Sequence, residues 1–270
     1  MGRPLRTDLA GRRYHVVNRG VDRTTIFRDD CDRLEFERLL GVAHDRFGVV
    51  VEAYCWMTNH YHIVMQCPDG GLSDTMHLIG SVYVRHMNER HGRDGPLFRD
   101  RFYARPILSE GYLLRLIRYV HRNPLAFVSS EELVGYRWSS LRTHLGHRRP
   151  SSWMNIGTVL ALCGGSEGVA SLSLDEHRPV LGATGPDGWM HAVELVIDEA
   201  SGRHGRARSA RTVATLLLDR LDAAQSDELA ELLDFPNPDA KRAAIYRARR
   251  RMLGAPELGD LVAAAMHLAA

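Results

Sequence analysis

Two histidines at alternate positions, His60 and His62, are the residues of this sequence best suited to hold a metal ion. They lie in the stretch WMTNHYHIVM, whose β-branched, aromatic and apolar residues favour a strand. Side chains two apart project from the same face of a strand, so both imidazoles can reach one ligand. Two neutral imidazoles form part of a shell for a divalent metal. In a chain with 14 histidines the pair could also be an accident, so other residues must complete the site.

A predicted helix in SEGYLLRLIRYVHRNP offers the missing groups. Its apolar stripe has helical spacing and consists of Leu113, Leu116, Ile117 and Val120. Tyr119 and Asn123 are four apart, so they share one helix face. A tyrosine hydroxyl is a weak nucleophile, but its attack becomes feasible when a metal polarises a phosphodiester. The amide oxygen of Asn123 can be a further ligand. On pattern alone, Tyr119 could instead be a border aromatic residue and Asn123 a helix C-cap before Pro124.

Arginines alternate with aromatic residues in the loop between these segments. The arginines are Arg93, Arg99, Arg101 and Arg105. Guanidinium groups bind phosphates and rings stack on bases, so the pattern suits single-stranded nucleic acid. A solvated loop anchored by Phe98 and Phe102 fits equally well. All 35 basic residues except Lys241 are arginine, but the formal net charge is only +2. The overall charge therefore neither demands nor excludes a nucleic-acid partner.

Strands and helices alternate through the first half of the chain, which predicts an α+β domain over residues 1–150 with about four mostly antiparallel strands. The predicted elements are a strand at 14–18, a helix from about 29 to 46, strands at 49–57 and 60–66, a helix capped by Ser73 and reaching about 90, a strand near 107 and the helix at 109–123. The first helix has an apolar stripe of Leu34, Leu39, Leu40 and Ala43. Glycine-rich breaks predict a linker or loosely structured region at 151–188.

The last part of the chain, 189–270, is predicted to be mostly helical, with helices at 189–200 and 209–221. A helix at 226–235, a short turn and a basic helix at 237–252 fit a helix-turn-helix DNA-binding unit. Arg247 and Arg250 would then contact DNA. A small helical bundle with a solvated basic face fits the same pattern.

The four cysteines, Cys31, Cys55, Cys67 and Cys163, are scattered and without metal-ligand spacing, which predicts reduced thiols. No apolar run has the length of a membrane span, and the first residues lack the apolar run of a signal peptide. A cytoplasmic protein without a membrane partner is therefore expected. The sequence leaves monomer and homodimer open.

Several motifs, taken in order, resemble those of the HUH-type single-tyrosine transposases of the smallest bacterial insertion sequences. They are YHVVNRG followed by IFRDD, NHYHIVM, MNERHGRDGPLFRDRF, GYLLRLIRYVHRNP and YRWSSLRTHLG, and together they span about residues 10–147. As an ordered set they are specific, although each motif alone is weak. Within this family the motifs are most similar to the REP-associated tyrosine transposase branch.

The resemblance implies a ferredoxin-like α+β fold, the HUH endonuclease core, with one Mg²⁺ or Mn²⁺. It also implies cleavage of single-stranded DNA, often beside a hairpin or palindromic repeat. By position, His60 and His62 match the metal ligands, Tyr119 the nucleophile and Asn123 a further metal ligand, although the family varies at this last position. Tyr119 would form a 5′-phosphotyrosine and release a 3′-OH, and a second 3′-OH would rejoin the strands. Tyr83, Tyr103 and Tyr112 are rival nucleophiles on sequence alone.

Three functions can be compared from the sequence. A transposase that nicks and joins single-stranded DNA is favoured because the set of two histidines, a tyrosine and an amide is complete. A DNA hairpin-binding protein or regulator that derives from a transposase and does not cleave is the main alternative. A zinc hydrolase or structural metal protein ranks third, since no HExxH motif supplies a general base.

Overall fold

The computed structural model describes residues 8–107, 109–175, 206–218, 220, 237–254 and 262. Contacts divide the chain into two compact units, Met1–Arg178 and Pro179–Ala270. Within the described residues, no helix is both long and apolar enough to cross a membrane.

A four-stranded antiparallel sheet with the strand order β2-β3-β1-β4 forms the centre of the first unit. The strands are β1 (Arg12–Arg19), β2 (Val50–Trp56), β3 (His60–Cys67) and β4 (Tyr103–Ile107). Helix α1 (Asp30–Phe47) connects β1 to β2, and α2 (Leu72–His91) connects β3 to β4. This βαββαβ connectivity and strand order define a ferredoxin-like fold. The predicted α+β class is confirmed.

Helices α1 and α2 pack together over one face of the sheet, where the aromatic core lies. Phe36 of α1 is fully buried, with ring centroids 4.9–5.1 Å from those of Trp56, Tyr61 and Tyr83. The Asp29 carboxylate caps α1 by accepting from the Asp32 amide, and Gly48 ends the helix with φ 67°. The predicted apolar stripe was wrong at Leu34, which is 48% exposed. The helix turns Phe36 toward the sheet instead.

Helix α2 is capped differently from the expectation. It begins at Leu72, so Ser73 lies inside its first turn and is not the cap. Asp8 satisfies the open backbone groups: its carboxylate accepts from the amides of Leu72 and Ser73, at 3.1 and 3.0 Å. A cap that comes from 64 residues away is a tertiary contact, which local sequence does not reveal.

Helix α3 (Glu110–Arg122) contacts β2, β3 and β4 and covers the other face of the sheet. Ser109 caps it by accepting from the Tyr112 amide, and the predicted apolar stripe is buried. Asn123 follows at the end of the helix, in a 3₁₀ turn with Pro124. The predicted bounds of this helix are confirmed.

The chain after α3 adds a layer to this second face. Ser139 and Ser140 lie beside the edge strand β2, and the helices α4 (Leu141–His144), α5 (Gly157–Cys163) and α6 (Ser166–Leu174) follow. Helices α5 and α6 contact each other and α3. The expected linker at 151–188 was therefore wrong for residues 151–175, because packing against α3 stabilises two short helices between glycines. Residues 176–188 lie outside the described part.

The second unit contains α7 (Arg206–Leu217) and α8 (Pro238–Gly254), which contact each other. The Arg251 guanidinium donates to the Thr212 hydroxyl at 3.2 Å. These helices correspond to the expected ones at 209–221 and 237–252. The expected helices at 189–200 and 226–235 lie outside the described residues, so the helix-turn-helix arrangement stays a prediction.

Candidate active site

Strand pairing brings the two histidines of β3 onto the face that α3 covers. In the antiparallel register Arg19 lies opposite His60 and Val17 opposite His62. Residues directly opposite each other in an antiparallel pair project from the same face. His15 is two residues before Val17 on β1, so its side chain belongs to this face as well.

His62 is held in one orientation by His15. Its Nδ1 lies 3.0 Å from His15 Nε2, and the two rings stack with centroids 5.3 Å apart. His62 is 3% exposed, and its Nε2 has no hydrogen-bond partner among the residues that the structure describes. Burial, aided by neighbouring His60, His15 and Arg19, holds the pKa of His62 well below its ordinary value. The ring is therefore neutral, the form that binds metals.

His60 presents its Nε2 in the same region. Its Nδ1 lies 2.7 Å from the Asn59 amide oxygen, so this nitrogen carries the proton and donates. Its Nε2 is then an acceptor and faces the Asn123 amide oxygen at 3.3 Å. Two acceptors at this separation repel unless a cation or a proton lies between them. The rings of His60 and His62 are 5.1 Å apart and perpendicular.

The donor set formed by His60, His62 and Asn123 therefore fits a divalent metal. Two imidazole nitrogens and an amide oxygen are ligand types that proteins offer to such ions. In the described ranges, no group of three or more His, Cys, Asp or Glu side chains could hold a metal. A metal at this position would thus depend on the Asn123 amide.

Tyr119 lies beside the histidines. Its ring centroid is 5.1 Å from that of His62, nearly perpendicular, and 6.5 Å from that of His15. Helix α3 presents it one turn before Asn123 and leaves it half-buried. The arrangement combines a phenol, a polar donor set and partial access to solvent, which are the requirements for attack on a phosphodiester.

The rival tyrosines are placed differently. Tyr83 belongs to the core on the α1–α2 face, where its hydroxyl donates to the Ile26 carbonyl at 2.6 Å and burial raises its pKa. Tyr112 is 1% exposed. Tyr103 is 46% exposed and lies opposite Val17 on β4, so it shares the face of the site. It is the accessible alternative to Tyr119.

The loop arginines differ in their exposure and in their neighbours. Arg105 lies opposite His15 on the site's face, and its guanidinium is 5.8 Å from the Tyr112 ring. Arg99 is half-buried, with its backbone amide bonded to the Arg19 carbonyl at 3.0 Å, and Arg101 is exposed. Arg93 is half-buried just beyond the end of α2. Arg247 and Arg250 are exposed on α8 of the second unit.

Two site residues, His15 and Arg19, were not identified from sequence. Both lie on β1 within the motif YHVVNRG, four apart and therefore on one strand face. His15 bonds a candidate ligand, and Arg19 lies opposite His60. The alternation within β1 was a usable signal, but its pairing with β3 had to be known before these residues could be linked to the histidines.

Comparison with known proteins finds one family similar to the first part of the chain. Residues 9–123 match the family model described as "Transposase IS200 like". The match covers all four strands and ends at Asn123. No curated protein matches the sequence. A solved structure described as a REP-associated tyrosine transposase bound to a REP hairpin has a TM-score of 0.46 and 14% identity, covering 54% of this chain and 86% of that chain. That likeness is too distant to add to the assignment. Residues 9–123 are therefore similar to IS200-like transposases, the HUH-type tyrosine transposase family that the motifs resemble.

Proposed function

We propose that this protein is a metal-dependent endonuclease and strand transferase that cleaves single-stranded DNA through a 5′-phosphotyrosine at Tyr119. The observation that carries the proposal is the convergence of His60, His62, Asn123 and Tyr119. They come from β3 and from the end of α3, about sixty residues apart in the sequence. In the fold, His60 Nε2 lies 3.3 Å from Asn123 Oδ1, and the ring centroids of His62 and Tyr119 are 5.1 Å apart.

His60, His62 and Asn123 would hold Mg²⁺ or Mn²⁺ through Nε2, Nε2 and Oδ1. Such an ion would polarise the scissile phosphate and stabilise the charge that develops on it. His15 would fix the orientation of His62 through Nδ1, and Asn59 that of His60. Arg19, opposite His60, would place a positive charge near a phosphate oxygen.

In the chemical step, the Tyr119 oxygen would attack the phosphorus of a backbone phosphodiester. The new O–P bond would form as the bond from phosphorus to the 3′ oxygen breaks. The phenol proton would leave Tyr119, and the departing 3′ oxygen would take up a proton. The products would be a 5′-phosphotyrosyl enzyme and a free 3′-OH. Attack by a second 3′-OH on the phosphotyrosine would restore Tyr119 and join the strands, with no net change in the number of phosphodiesters.

The preferred substrate is proposed to be hairpin or palindromic repeat DNA, because the motifs are most similar to those of the REP-associated branch. The test uses hairpin oligonucleotides from the repeats that flank the gene, labelled at either the 5′ or the 3′ end. Incubation with Mg²⁺, Mn²⁺ or EDTA is followed by a denaturing gel. A protein-linked band from the 3′-labelled strand is expected with metal but not with EDTA.

The matched pair of variants is Tyr119→Phe and Tyr103→Phe. Each removes one hydroxyl from a tyrosine on the site's face. The first should abolish the adduct and leave hairpin binding intact, whereas the second should form adduct at the wild-type level. An adduct that persists in Tyr119→Phe would disprove the assigned nucleophile. Hairpin binding without adduct by the wild type, across several hairpins, would favour the non-cleaving regulator.

A further inference from the structure

A cavity of about 220 Å³ lies in the first unit, and its lining residues are far from His60 and His62 in the sequence. It is lined by Leu34 of α1 and by residues that follow α3, namely Arg137, Trp138, Arg142, His147 and Arg148. Three of its six lining residues are arginines. A space of this size is too small for a large organic ligand, whose sites reach about 300–1,000 Å³. It suits a group no larger than part of one nucleotide.

The cavity lies at the edge of the sheet next to β2. Trp56 donates its backbone amide to the Trp138 carbonyl at 2.8 Å, and the Tyr136 hydroxyl donates to the Trp56 carbonyl at 2.6 Å. Trp56 ends β2, and the short turn after it leads into His60. The Trp138 side of the cavity therefore lies at the end of β2 from which the chain turns toward His60.

The chain between Asn123 and Trp138 carries an aromatic pair. Phe127 is 54% exposed, and its ring centroid lies 5.5 Å from that of Tyr136. Exposed rings beside basic groups are the surface on which unpaired bases stack. The pair is attached through Tyr136 to the end of β2, next to the cavity.

The arginines of the cavity differ in their partners. Arg137 pairs with Asp30 and lies over the Trp138 ring, and Arg148 pairs with Glu37. Arg142 has no ion pair or side-chain hydrogen bond among the residues described, and its Nε is buried. A buried N–H of a guanidinium that is left unbonded costs free energy until an acceptor arrives. Among the three arginines of the cavity, Arg142 is thus the one with a buried donor left unbonded.

We propose that this cavity binds a backbone phosphate of the DNA strand outside the scissile position, with Arg142 as its main ligand. The inference rests on the proposed function for its ligand class, but not on the cleavage chemistry. Arg137 and Arg148, each paired with a carboxylate, line the cavity beside it, and Leu34 offers an apolar contact for the sugar. A phosphate held here fixes the strand relative to Tyr119 without reading its sequence.

The test measures the Kd of hairpin oligonucleotides with single-stranded extensions, in EDTA, at several salt concentrations. Arg142→Gln should weaken binding about tenfold, equally for all flanking sequences, and lower the salt slope by about 0.7–0.9. Arg142→Lys should restore part of the affinity and of the slope. The matched control is Arg85→Gln, which removes one exposed arginine from α2 and should change the Kd less than about twofold.

A second pair of variants tests the cavity without changing Arg142, and so does not depend on whether Arg142→Gln folds. Leu34→Glu adds a carboxylate at the cavity rim and should weaken binding, because it repels phosphate. Val42→Glu adds the same charge at another exposed position of α1 and should not. Wild-type affinity and salt slope in both Arg142→Gln and Leu34→Glu would overturn the proposal. So would wild-type protein that binds no DNA. If DNA binding depends on Arg142 but the wild type forms no adduct, the cavity proposal would stand. Only the proposed DNA cleavage would be rejected.

Discussion

At the scale of single residues, the site depends on which ring nitrogen each histidine offers. Nδ1 of His62 is occupied by His15, and Nδ1 of His60 by Asn59, so each ring keeps Nε2 as the nitrogen available to a metal. Groups that bond metal-ligating histidines fix the tautomer and ring orientation. His15 is therefore as much a part of the candidate site as the two histidines that it supports.

Replacement of His15 tests this role. His15→Leu removes the partner of His62 Nδ1 while keeping an apolar side chain in a buried position, 1% exposed. Because His62 then loses its fixed orientation, the affinity for Mn²⁺ should fall about tenfold or more. Titration calorimetry or Mn²⁺ spin resonance measures this directly. His77→Leu, which replaces an exposed histidine of α2, is the control. Equal Mn²⁺ affinities of the two variants would contradict the role of His15.

The ligand candidates could be found from sequence because their spacing is local. Alternation on a strand pairs His60 with His62, and helical spacing pairs Tyr119 with Asn123. That the two pairs meet follows from the packing of α3 on β3, which was available only through family resemblance. His15 and Arg19 were missed because their role depends on the register between β1 and β3. The register of two strands depends on residues that are distant in sequence, so no single motif predicts it.

At the scale of elements, α3 is the helix that positions the chemistry, and it is anchored by a buried histidine. His121 is hydrogen-bonded through Nδ1 to the Ser173 hydroxyl at 2.8 Å and through Nε2 to the Ser140 hydroxyl at 3.2 Å. Ser140 also accepts from the Tyr54 amide. These bonds link α3 to α6 and, through Ser140, to β2, and they fix the part of the helix that carries Tyr119 and Asn123.

The capping of α2 gives an element-scale prediction. Asp8→Ala should lower the free energy of unfolding by about 1 kcal/mol, because two amides of the first turn lose their acceptor. Ser73→Ala should stay within about 0.5 kcal/mol of the wild type, since Ser73 is not the cap. Urea unfolding followed by tryptophan fluorescence measures both. A larger loss in Ser73→Ala than in Asp8→Ala would show that the local cap dominates.

The elements that sequence predicted well are those with strong local signals. The bounds of α1 followed from the acidic cluster and Gly48, and those of α3 from Ser109 and Pro124. Helices α5 and α6 were mistaken for a linker because they have only seven and nine residues and are bounded by glycines. Helices this short are marginal in isolation. Contact with α3 stabilises them, and such contact is not visible in a local window.

At the scale of the whole first unit, buried histidines should make stability depend on pH. Burial lowers the pKa of His144 to about 4, and burial together with His144 lowers that of His121 well below its ordinary value. Both residues are 0% exposed, with ring centroids 5.1 Å apart. In the unfolded chain they titrate near 6.5. Between the folded-state pKa and 6.5, the unfolded state binds more protons than the folded state. The contribution of the neutral histidines to the free energy of unfolding is therefore complete above pH 6.5 and is lost as the pH falls toward the folded-state pKa.

His144 alone should therefore reduce the free energy of unfolding by about 2 kcal/mol between pH 7 and pH 5. His144→Gln removes the titrating group and keeps a donor for the Ser140 carbonyl. Between pH 7 and pH 5, the free energy of unfolding of His144→Gln should therefore fall by about 2 kcal/mol less than that of the wild type. Urea unfolding at pH 7, 6 and 5 gives both slopes. Parallel declines in wild type and variant would contradict the assignment.

The second unit is predicted to add DNA affinity through α8. Arg247 and Arg250 are both exposed on this helix. The double variant Arg247→Gln, Arg250→Gln should weaken hairpin binding and lower the salt slope by about 1–2, because each arginine that neutralises a phosphate releases counterions when it binds. Arg85→Gln combined with Arg38→Gln, two exposed arginines of the first unit, is the charge-matched control. An unchanged slope in the α8 variant would favour a solvated helical face.

The most direct measurement is the identity of the residue that carries DNA after reaction. Wild-type protein is incubated with a hairpin oligonucleotide and Mn²⁺, then digested with nuclease and trypsin and analysed by mass spectrometry. Trypsin cuts after Arg118 and Arg122, so Tyr119 is isolated in the short peptide YVHR. A nucleotide linked through a 5′-phosphate to the tyrosine of this peptide is the predicted result. A nucleotide on Tyr103 or on any other residue, with YVHR unmodified, would contradict the account.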